Sequence, residues 1–206
     1  MAETRAPLPL VVKVGGSLAE SGRLASALTD IADARRRVVV VAGGGAFADK
    51  VRDLQHALNF NDATAHRLAM LGMHQMAEVF VSNARFSMAE SIDAIADVLQ
   101  AGAIPVWVPL PTLERDASIP ADWSITSDGI AARLAELLGG APLALLKSCD
   151  VPPGRDAVAL AAEGIVDAAF LGLWRVQTSI GACSDRTTIL HLKRCWRRRH
   201  KSQAKS

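Results

Sequence analysis

The sequence predicts an α/β fold in which a mainly parallel sheet is covered by helices on both faces. First, apolar strands and amphipathic helical segments alternate along the chain. Second, strands such as "VVVVA" are apolar throughout, as expected when both faces of a parallel sheet are buried. Third, half of the 206 residues are hydrophobic and 21% are charged, which suffices for the core of one domain. We assign residues 8–185 to that domain.

The elements are predicted from runs of apolar residues and from helix-ending signals. Strands are predicted at Leu8–Val14, 36–45, 103–111 and 142–150. Helices are predicted at Glu20–Arg35, Ala46–Leu58, Asn61–Val81, Ser91–Gln100, 126–140 and 155–170. In the second helix, the residues that share one apolar face are Phe47, Val51, Leu54 and Leu58. The helix at 126–140 is expected to be capped by Thr126 or Ser127 and stopped by Gly139 and Gly140.

Charge and cysteine content limit the functional classes. The net charge is +2, but seven Lys/Arg and no acid lie between Lys193 and Ser206, so the rest of the chain carries 2 − 7 = −5. We expect residues 186–206 to be a flexible basic tail and expect no nucleic-acid partner. Three cysteines without C-x-x-C spacing favour a reducing, cytoplasmic setting. No apolar run is long enough for a membrane span, and the N-terminus does not resemble a secretory signal.

The loop after the first strand indicates anion binding. Lys13 interrupts an apolar strand, and Gly15, Gly16 and Ser17 follow it. Glycines permit a tight turn with exposed backbone N–H groups, and the next helix adds a positive dipole end. An unpaired buried charge is costly, so Lys13 indicates a phosphate nearby. The alternative is a simple glycine turn with a lysine that faces solvent.

The loop after the second strand contains Gly43, Gly44 and Gly45. Three ordered glycines have a high conformational cost, which indicates a ligand lying against the main chain rather than strand–helix packing alone. Neither glycine loop fits the Walker A or the G-x-G-x-x-G pattern, so a Rossmann dinucleotide site has no support.

Two further residues suggest the chemistry. Asp128 lies near a predicted helix N-terminus, where it either stabilises the helix dipole or organises lysines or a metal around a phosphoryl group. Lys147 ends an apolar strand, as Lys13 nearly does. Phosphoryl transfer needs positioning, cations and backbone donors more than covalent chemistry, so these features favour a kinase. His66 and His74 lie eight residues apart, which does not predict a zinc pair.

Four segments, in this order, resemble the amino acid kinase family: "VVKVGGSL", "VVVVAGGGAFAD", "TSDGIAARLA" and "LALLKSCDV". The resemblance implies a three-layer αβα sandwich that uses ATP with Mg²⁺ and has no dedicated protein metal site. It also implies a homodimer or a higher homo-oligomer. The family's usual Asp-Gly after the last lysine is replaced here by Asp150-Val151-Pro152-Pro153.

The resemblance assigns roles by motif. Lys13, Asp128 and Lys147 would be catalytic, with Asp128 orienting the lysines. The residues expected to bind ATP are Gly15, Gly16, Ser17, Lys147 and Asp150. The residues expected to bind the acceptor are Gly43, Gly44, Gly45, Asp62, His66 and Ser127.

The acceptor implied by the resemblance is a small phosphate or carboxylate. The helix "NDATAHRLAMLGMHQMAEVF" is similar to the small archaeal-type branch, whose acceptor is an aminomethylfuran-methyl phosphate of methanofuran-type cofactor biosynthesis. The alternatives are a uridylate, isopentenyl phosphate or acetylglutamate type of kinase. A non-catalytic protein that binds ATP and oxoanions, as in molybdate storage, is a further alternative.

Overall fold

The computed structural model describes residues 7–148, 157–167 and 187–191, with Ala157 and residues 187–191 described by their backbone alone. The strands are β1 (Leu10–Val14), β2 (Val38–Ala42), β3 (Phe86–Ala89), β4 (Ile104–Trp107), β5 (Leu143–Lys147) and β6 (Thr187–His191). They form one sheet in the order β3-β4-β2-β1-β5-β6, and each neighbouring pair is parallel. The predicted parallel sheet is therefore confirmed.

Helices cover both faces of this sheet. They are α1 (Ser17–Glu20), α2 (Leu24–Ala32), α3 (Gly45–Leu58), α4 (Asp62–Val81), α5 (Ile92–Gln100), α6 (Leu110–Leu113), α7 (Ser127–Leu137) and α8 (Ala157–Ala162). One apolar cluster joins α5 and α7 to one face of the sheet, and a second joins α1 and α2 to the other. This is the predicted three-layer αβα arrangement.

The apolar strands divide their side chains between the two layers. In β1, Val11 belongs to the cluster with α7, whereas Val12 and Val14 belong to the cluster with α2. Successive side chains of a strand point to opposite faces, so a strand between two helical layers must be apolar at nearly every position. Lys13 is the exception in β1, and it is 5% exposed.

Several predicted boundaries are wrong. The single helix predicted at Glu20–Arg35 is two helices, because Gly22 adopts a positive φ of 67° between α1 and α2. Strand β3 was not predicted at all. The helix predicted at 155–170, with a glycine break, ends at Ala162 within the described residues, ahead of Gly164 with a φ of 68°, so the break lies at the predicted glycine.

Helix α3 forms as predicted, but its apolar face is not buried in the single chain. Phe47 is 38% exposed, Leu54 is 39% exposed and Leu58 is 69% exposed. None of the fourteen residues of α3 is fully buried. The periodic pattern therefore predicted the helix correctly, and the structure adds that its apolar face is exposed.

The C-terminal region departs from the predicted tail at one point. Strand β6 pairs with β5, and its residues fall inside the segment 186–206. The remainder of that segment lies outside the described residues, and the boundary at residue 185 stays a prediction. Within the described part of the chain, no helix is both long enough and apolar enough to span a membrane.

Candidate active site

The candidate site lies where the carboxyl ends of three strands meet. β1 has β2 on one side and β5 on the other, and Lys13 is in register with both Val41 and Leu145. The loops that follow β1, β2 and β5 therefore lie next to one another at the same edge of the sheet. Open α/β sheets bind ligands at such an edge, where the strand order reverses.

The two predicted lysines lie on the same face of the sheet. Lys13 alternates with Val12 and shares its face with Val11, which contacts the α7 layer. Lys147 lies two residues beyond Leu145, the partner of Lys13, and Leu145 faces the same layer. The register thus brings two ammonium groups from adjacent strands under the start of α7.

Asp128 joins these two lysines. Its Oδ1 forms an ion pair with Lys13 Nζ at 2.8 Å. Its Oδ2 accepts a hydrogen bond from Lys147 Nζ. Asp128 is only 2% exposed. Each lysine shares this carboxylate with the other, an arrangement that can also attract an anionic ligand.

The pKa values of this cluster follow from burial and from these contacts. Burial alone would raise the pKa of Asp128, but the charges of Lys13 and Lys147 outweigh it and lower that pKa. The pKa of Lys147 is lowered by burial and by Lys13, against the opposing pull of Asp128 and Asp167. The cluster therefore holds a carboxylate together with an ammonium group that loses its proton more readily than an ordinary lysine.

The first turn of α7 delivers Asp128 to the lysines. Thr126 is the N-cap, as predicted, and its Oγ1 accepts from the Asp128 backbone N–H at 3.5 Å. Asp167 reaches the same turn, where its Oδ2 accepts from Thr126 N at 2.8 Å, Thr126 Oγ1 at 2.7 Å and Gly129 N at 2.9 Å. Asp167 was not predicted, because its partners lie about forty residues earlier in the chain.

The two glycine loops touch each other through their backbones. A Cβ at Gly16 would lie 2.3 Å from the Cα of Gly45, closer than any real contact. Gly45 itself has a φ of 52°. Contact between the two loops, which the sequence analysis did not consider, therefore accounts for glycine at this pair of positions. The remaining loop backbone is still available to a ligand.

A cavity of about 260 Å³ opens beside these loops. The predicted residues that line it are Gly16, Ser17, Gly43, Gly44, Gly45, His66 and Ser127. Its apolar wall consists of Ala69, Met70, Met73, Ile125 and Ile130. The cavity thus has backbone and hydroxyl donors at one end and an apolar middle.

His66 lies at this cavity, whereas Asp62 does not line it. His66 is 7% exposed, and burial lowers its pKa more than the neighbouring Asp122 raises it. The imidazole is therefore neutral near pH 7. Asp62 is exposed in the first turn of α4, where its Oδ1 accepts from Gln55 Nε2 at 2.7 Å.

Two residues at the same cavity were missed by the sequence analysis. The Arg52 guanidinium lies 4.2 Å from the centre of the Trp123 ring, and both residues line the cavity. Trp123 Nε1 donates to Gln55 Oε1 at 2.6 Å. Arg52 lies on α3 and Trp123 lies in the loop ahead of α7, so no local pattern connects them in the sequence.

The remaining predicted ATP residues fall on the β5 side. Ser17 Oγ lies 2.7 Å from Ser148 Oγ, and Arg23 Nη2 donates to the Ser148 carbonyl at 2.5 Å. The loop after β1 is therefore bound to the end of β5. Asp150, the other predicted ATP residue, lies outside the described residues.

This chain resembles known proteins in sequence and in fold. A model of the amino acid kinase family matches residues 9–152, which is more than half of the chain. The chain belongs to the amino acid kinase family. A relative of this family member is the [5-(aminomethyl)furan-3-yl]methyl phosphate kinase of Methanocaldococcus jannaschii, 28% identical over 130 residues. That match covers 62% of this chain and 60% of the relative, so the chain spans less than two thirds of the relative's length.

Solved structures of similar fold are uridylate kinases. The uridylate kinase of Archaeoglobus fulgidus superposes with a TM-score of 0.59 at 16% identity, over 82% of this chain and 86% of the other. The UMP kinase of Ureaplasma parvum gives a TM-score of 0.57 at 14% identity, over 83% and 86%. At such identities these likenesses show the shared fold.

Proposed function

We propose that this chain is an ATP-dependent kinase that transfers the γ-phosphoryl group to a small phosphate or carboxylate acceptor. The observation that carries the proposal is the buried cluster of Lys13, Asp128 and Lys147 beneath two glycine loops. A buried group of two cations and one acid is costly to retain without an anionic ligand. Membership of a family of kinases supports the same function.

Each member of the cluster has a distinct role in this proposal. A bond forms between the acceptor oxygen and the γ-phosphorus while the bond to the bridging oxygen of ADP breaks. Lys13 and Lys147 stabilise the charge on the transferring group, and Asp128 holds both ammonium groups in place. The backbone N–H groups of the glycine loops supply further donors.

We propose that Mg²⁺ reaches the site bound to ATP oxygens and water. Among the described residues, no group of three or more His, Cys, Asp or Glu side chains is placed to hold a metal. Asp128, the acid at the centre of the site, already has both carboxylate oxygens in contact with lysines. Magnesium commonly retains several waters and binds through substrate phosphates.

For the acceptor we propose an aminomethylfuran-methyl phosphate, as used by the archaeal relative. Its phosphate would lie against the glycine loops, and its flat ring would contact Met70 and Met73 on the apolar wall. A neutral imidazole can accept a hydrogen bond, so His66 would bind the ammonium group at the far end of the acceptor.

A panel of acceptors tests this function. ATP consumption with Mg²⁺ is measured with aminomethylfuran-methyl phosphate, UMP, isopentenyl phosphate, acetylglutamate, aspartate and molybdate. We expect turnover with the furan phosphate, with one ADP formed for each diphosphate product. Turnover with UMP instead would support the proposed kinase activity but would show that the proposed acceptor is wrong. ATP binding without turnover of any acceptor would contradict the proposal that this protein is a kinase.

We also propose that the protein is a homodimer or a higher homo-oligomer. Support comes from the exposed apolar side chains of Phe47, Leu54 and Leu58, which share one face of α3. Contiguous apolar faces on soluble proteins commonly mark association surfaces.

A further inference from the structure

Asp167 connects the end of the described α8 region to the start of α7. Its Oδ2 accepts three hydrogen bonds, from Thr126 N, Thr126 Oγ1 and Gly129 N, at distances of 2.7–2.9 Å. These donors lie on both sides of Asp128 in the sequence. These hydrogen bonds therefore hold the backbone on both sides of Asp128, the residue that binds both lysines.

This arrangement differs from an ordinary helix cap. A cap is normally supplied by the residue just ahead of the helix, and Thr126 already fills that position. Asp167 adds a carboxylate from a distant part of the chain, which accepts from Gly129 N in the first turn of α7, and its charge also acts on Lys147. Asp167 therefore helps to cap the turn that carries Asp128.

We propose that Asp167 is a positioning residue, which fixes the first turn of α7 so that Asp128 holds Lys13 and Lys147 in their working geometry. The proposal rests on the kinase function only for its effect on turnover. The three hydrogen bonds of Asp167 Oδ2 go to α7 and its cap, so Asp167 would act on the reaction through the turn that carries Asp128.

A matched control is a carboxylate outside α7 that binds the same helix. Asp116 also accepts three hydrogen bonds, from Ser118 N at 3.0 Å, Ser118 Oγ at 2.6 Å and Arg133 Nε at 2.7 Å. Arg133 lies on α7, more than a turn beyond Asp128. Asp116→Asn therefore perturbs a carboxylate attached to the same helix without disturbing the turn that carries Asp128.

The test compares Asp167→Asn with Asp116→Asn. Acetic anhydride labels Lys147 over a range of pH, and mass spectrometry gives the labelling midpoint, which needs no turnover. We expect Asp167→Asn to move the Lys147 midpoint to lower pH, because a negative charge that favours the ammonium form is removed. We expect kcat to fall roughly tenfold to a hundredfold, as for misplacement of about 1 Å, with little change in KM for ATP.

Asp116→Asn should leave the labelling midpoint and kcat unchanged at a similar loss of melting temperature. If Asp167→Asn does not fold, Thr126→Val and Thr126→Ser replace it, and only the valine variant should lose turnover. An unchanged midpoint and an unchanged kcat in folded Asp167→Asn would overturn the role of Asp167. Absence of turnover in the unaltered protein would instead count against the kinase, and labelling would still decide this inference.

Discussion

Two lysines share one carboxylate in this site, and their contributions to turnover should be separable from stability. Lys13→Ala leaves Asp128 paired with Lys147. We expect the fold to persist, while phosphoryl transfer falls by more than about a hundredfold, the scale of losing one preorganised charge partner. Steady-state kinetics and the melting temperature measure the two effects.

The control for this variant is Lys50→Ala. Lys50 is exposed, and its contact with Asp53 is a surface pair at 3.9 Å. Such pairs contribute little, so its turnover should equal that of the unaltered protein. Equal turnover for Lys13→Ala and Lys50→Ala would remove Lys13 from the active site.

The pH dependence of kcat should report on Lys147. Its pKa is lowered from 10.5 by burial and by Lys13, so its ammonium is lost as pH rises through a value below 10.5. If turnover needs that charge, kcat falls on the alkaline side at this lowered pKa. In Lys147→Arg the guanidinium stays charged, so the alkaline decline should disappear even if kcat is reduced. If kcat of Lys147→Arg still declines at the same alkaline pH, the decline belongs to a group other than Lys147.

Single site residues could be predicted where the neighbouring sequence makes the residue energetically unfavourable unless it has a partner. Lys13 and Lys147 stood out because a cation in an apolar strand needs a partner, and the structure supplies Asp128 to both. Asp167 and Trp123 gave no such signal, because their partners are distant in the sequence. Their roles appeared only when the fold had placed them.

At the scale of elements, the loop after β1 and the loop after β2 pack against each other, and this contact requires glycine in both loops. A Cβ at Gly16 would overlap the Gly45 backbone, which cannot move aside as a flexible side chain would. We expect Gly16→Ala to lower the free energy of unfolding by about 1–3 kcal/mol, the usual cost of overpacking, and to reduce turnover. Chemical denaturation and steady-state kinetics check both effects.

Gly22→Ala is a control for Gly16→Ala, because it introduces backbone strain without steric overlap between the loops. Gly22 has a φ of 67°, but a Cβ there would meet nothing within 4 Å. Its cost should be limited to about 1–2 kcal/mol of left-handed backbone strain, with turnover retained. A larger loss of turnover for Gly22→Ala than for Gly16→Ala would contradict a direct role for the loop contact.

Long apolar elements were predicted from sequence, and short ones were not. β2 is a run of four valines and an alanine, which leaves few alternatives. β3 has only four residues, including a serine and a methionine, and takes its conformation from pairing with β4. β6 lies beside a basic segment whose composition favours solvent, so its pairing with β5 depended on the tertiary fold.

At the scale of the molecule, the position of β1 in the centre of the sheet sets the site. Later segments of the chain add β2, β4 and β3 on one side of β1 and β5 and β6 on the other, so loops from both halves of the sheet meet at its carboxyl end. This order follows from pairing between distant segments. Sequence patterns predicted the parallel sheet and the site edge, but the order of strands required the structure.

The exposed face of α3 leads to a prediction for the whole assembly. If Phe47, Leu54 and Leu58 lie in an interface between copies, Leu58→Glu should weaken association by placing a charge on an apolar surface. Light scattering should show a lower mass for Leu58→Glu than for the unaltered protein at equal concentration. His56→Glu, also exposed on α3, is the control. A monomeric unaltered protein would contradict the proposed oligomer.

We propose that Lys13, Asp128 and Lys147 carry phosphoryl transfer to a small acceptor. The most direct measurement is ³¹P NMR of the unaltered protein and Asp128→Asn with ATP, Mg²⁺ and aminomethylfuran-methyl phosphate. We predict a new diphosphate and ADP in equal amounts, formed at least about a hundredfold more slowly by Asp128→Asn. Formation of ADP and inorganic phosphate alone, or equal rates for both proteins, would contradict this account.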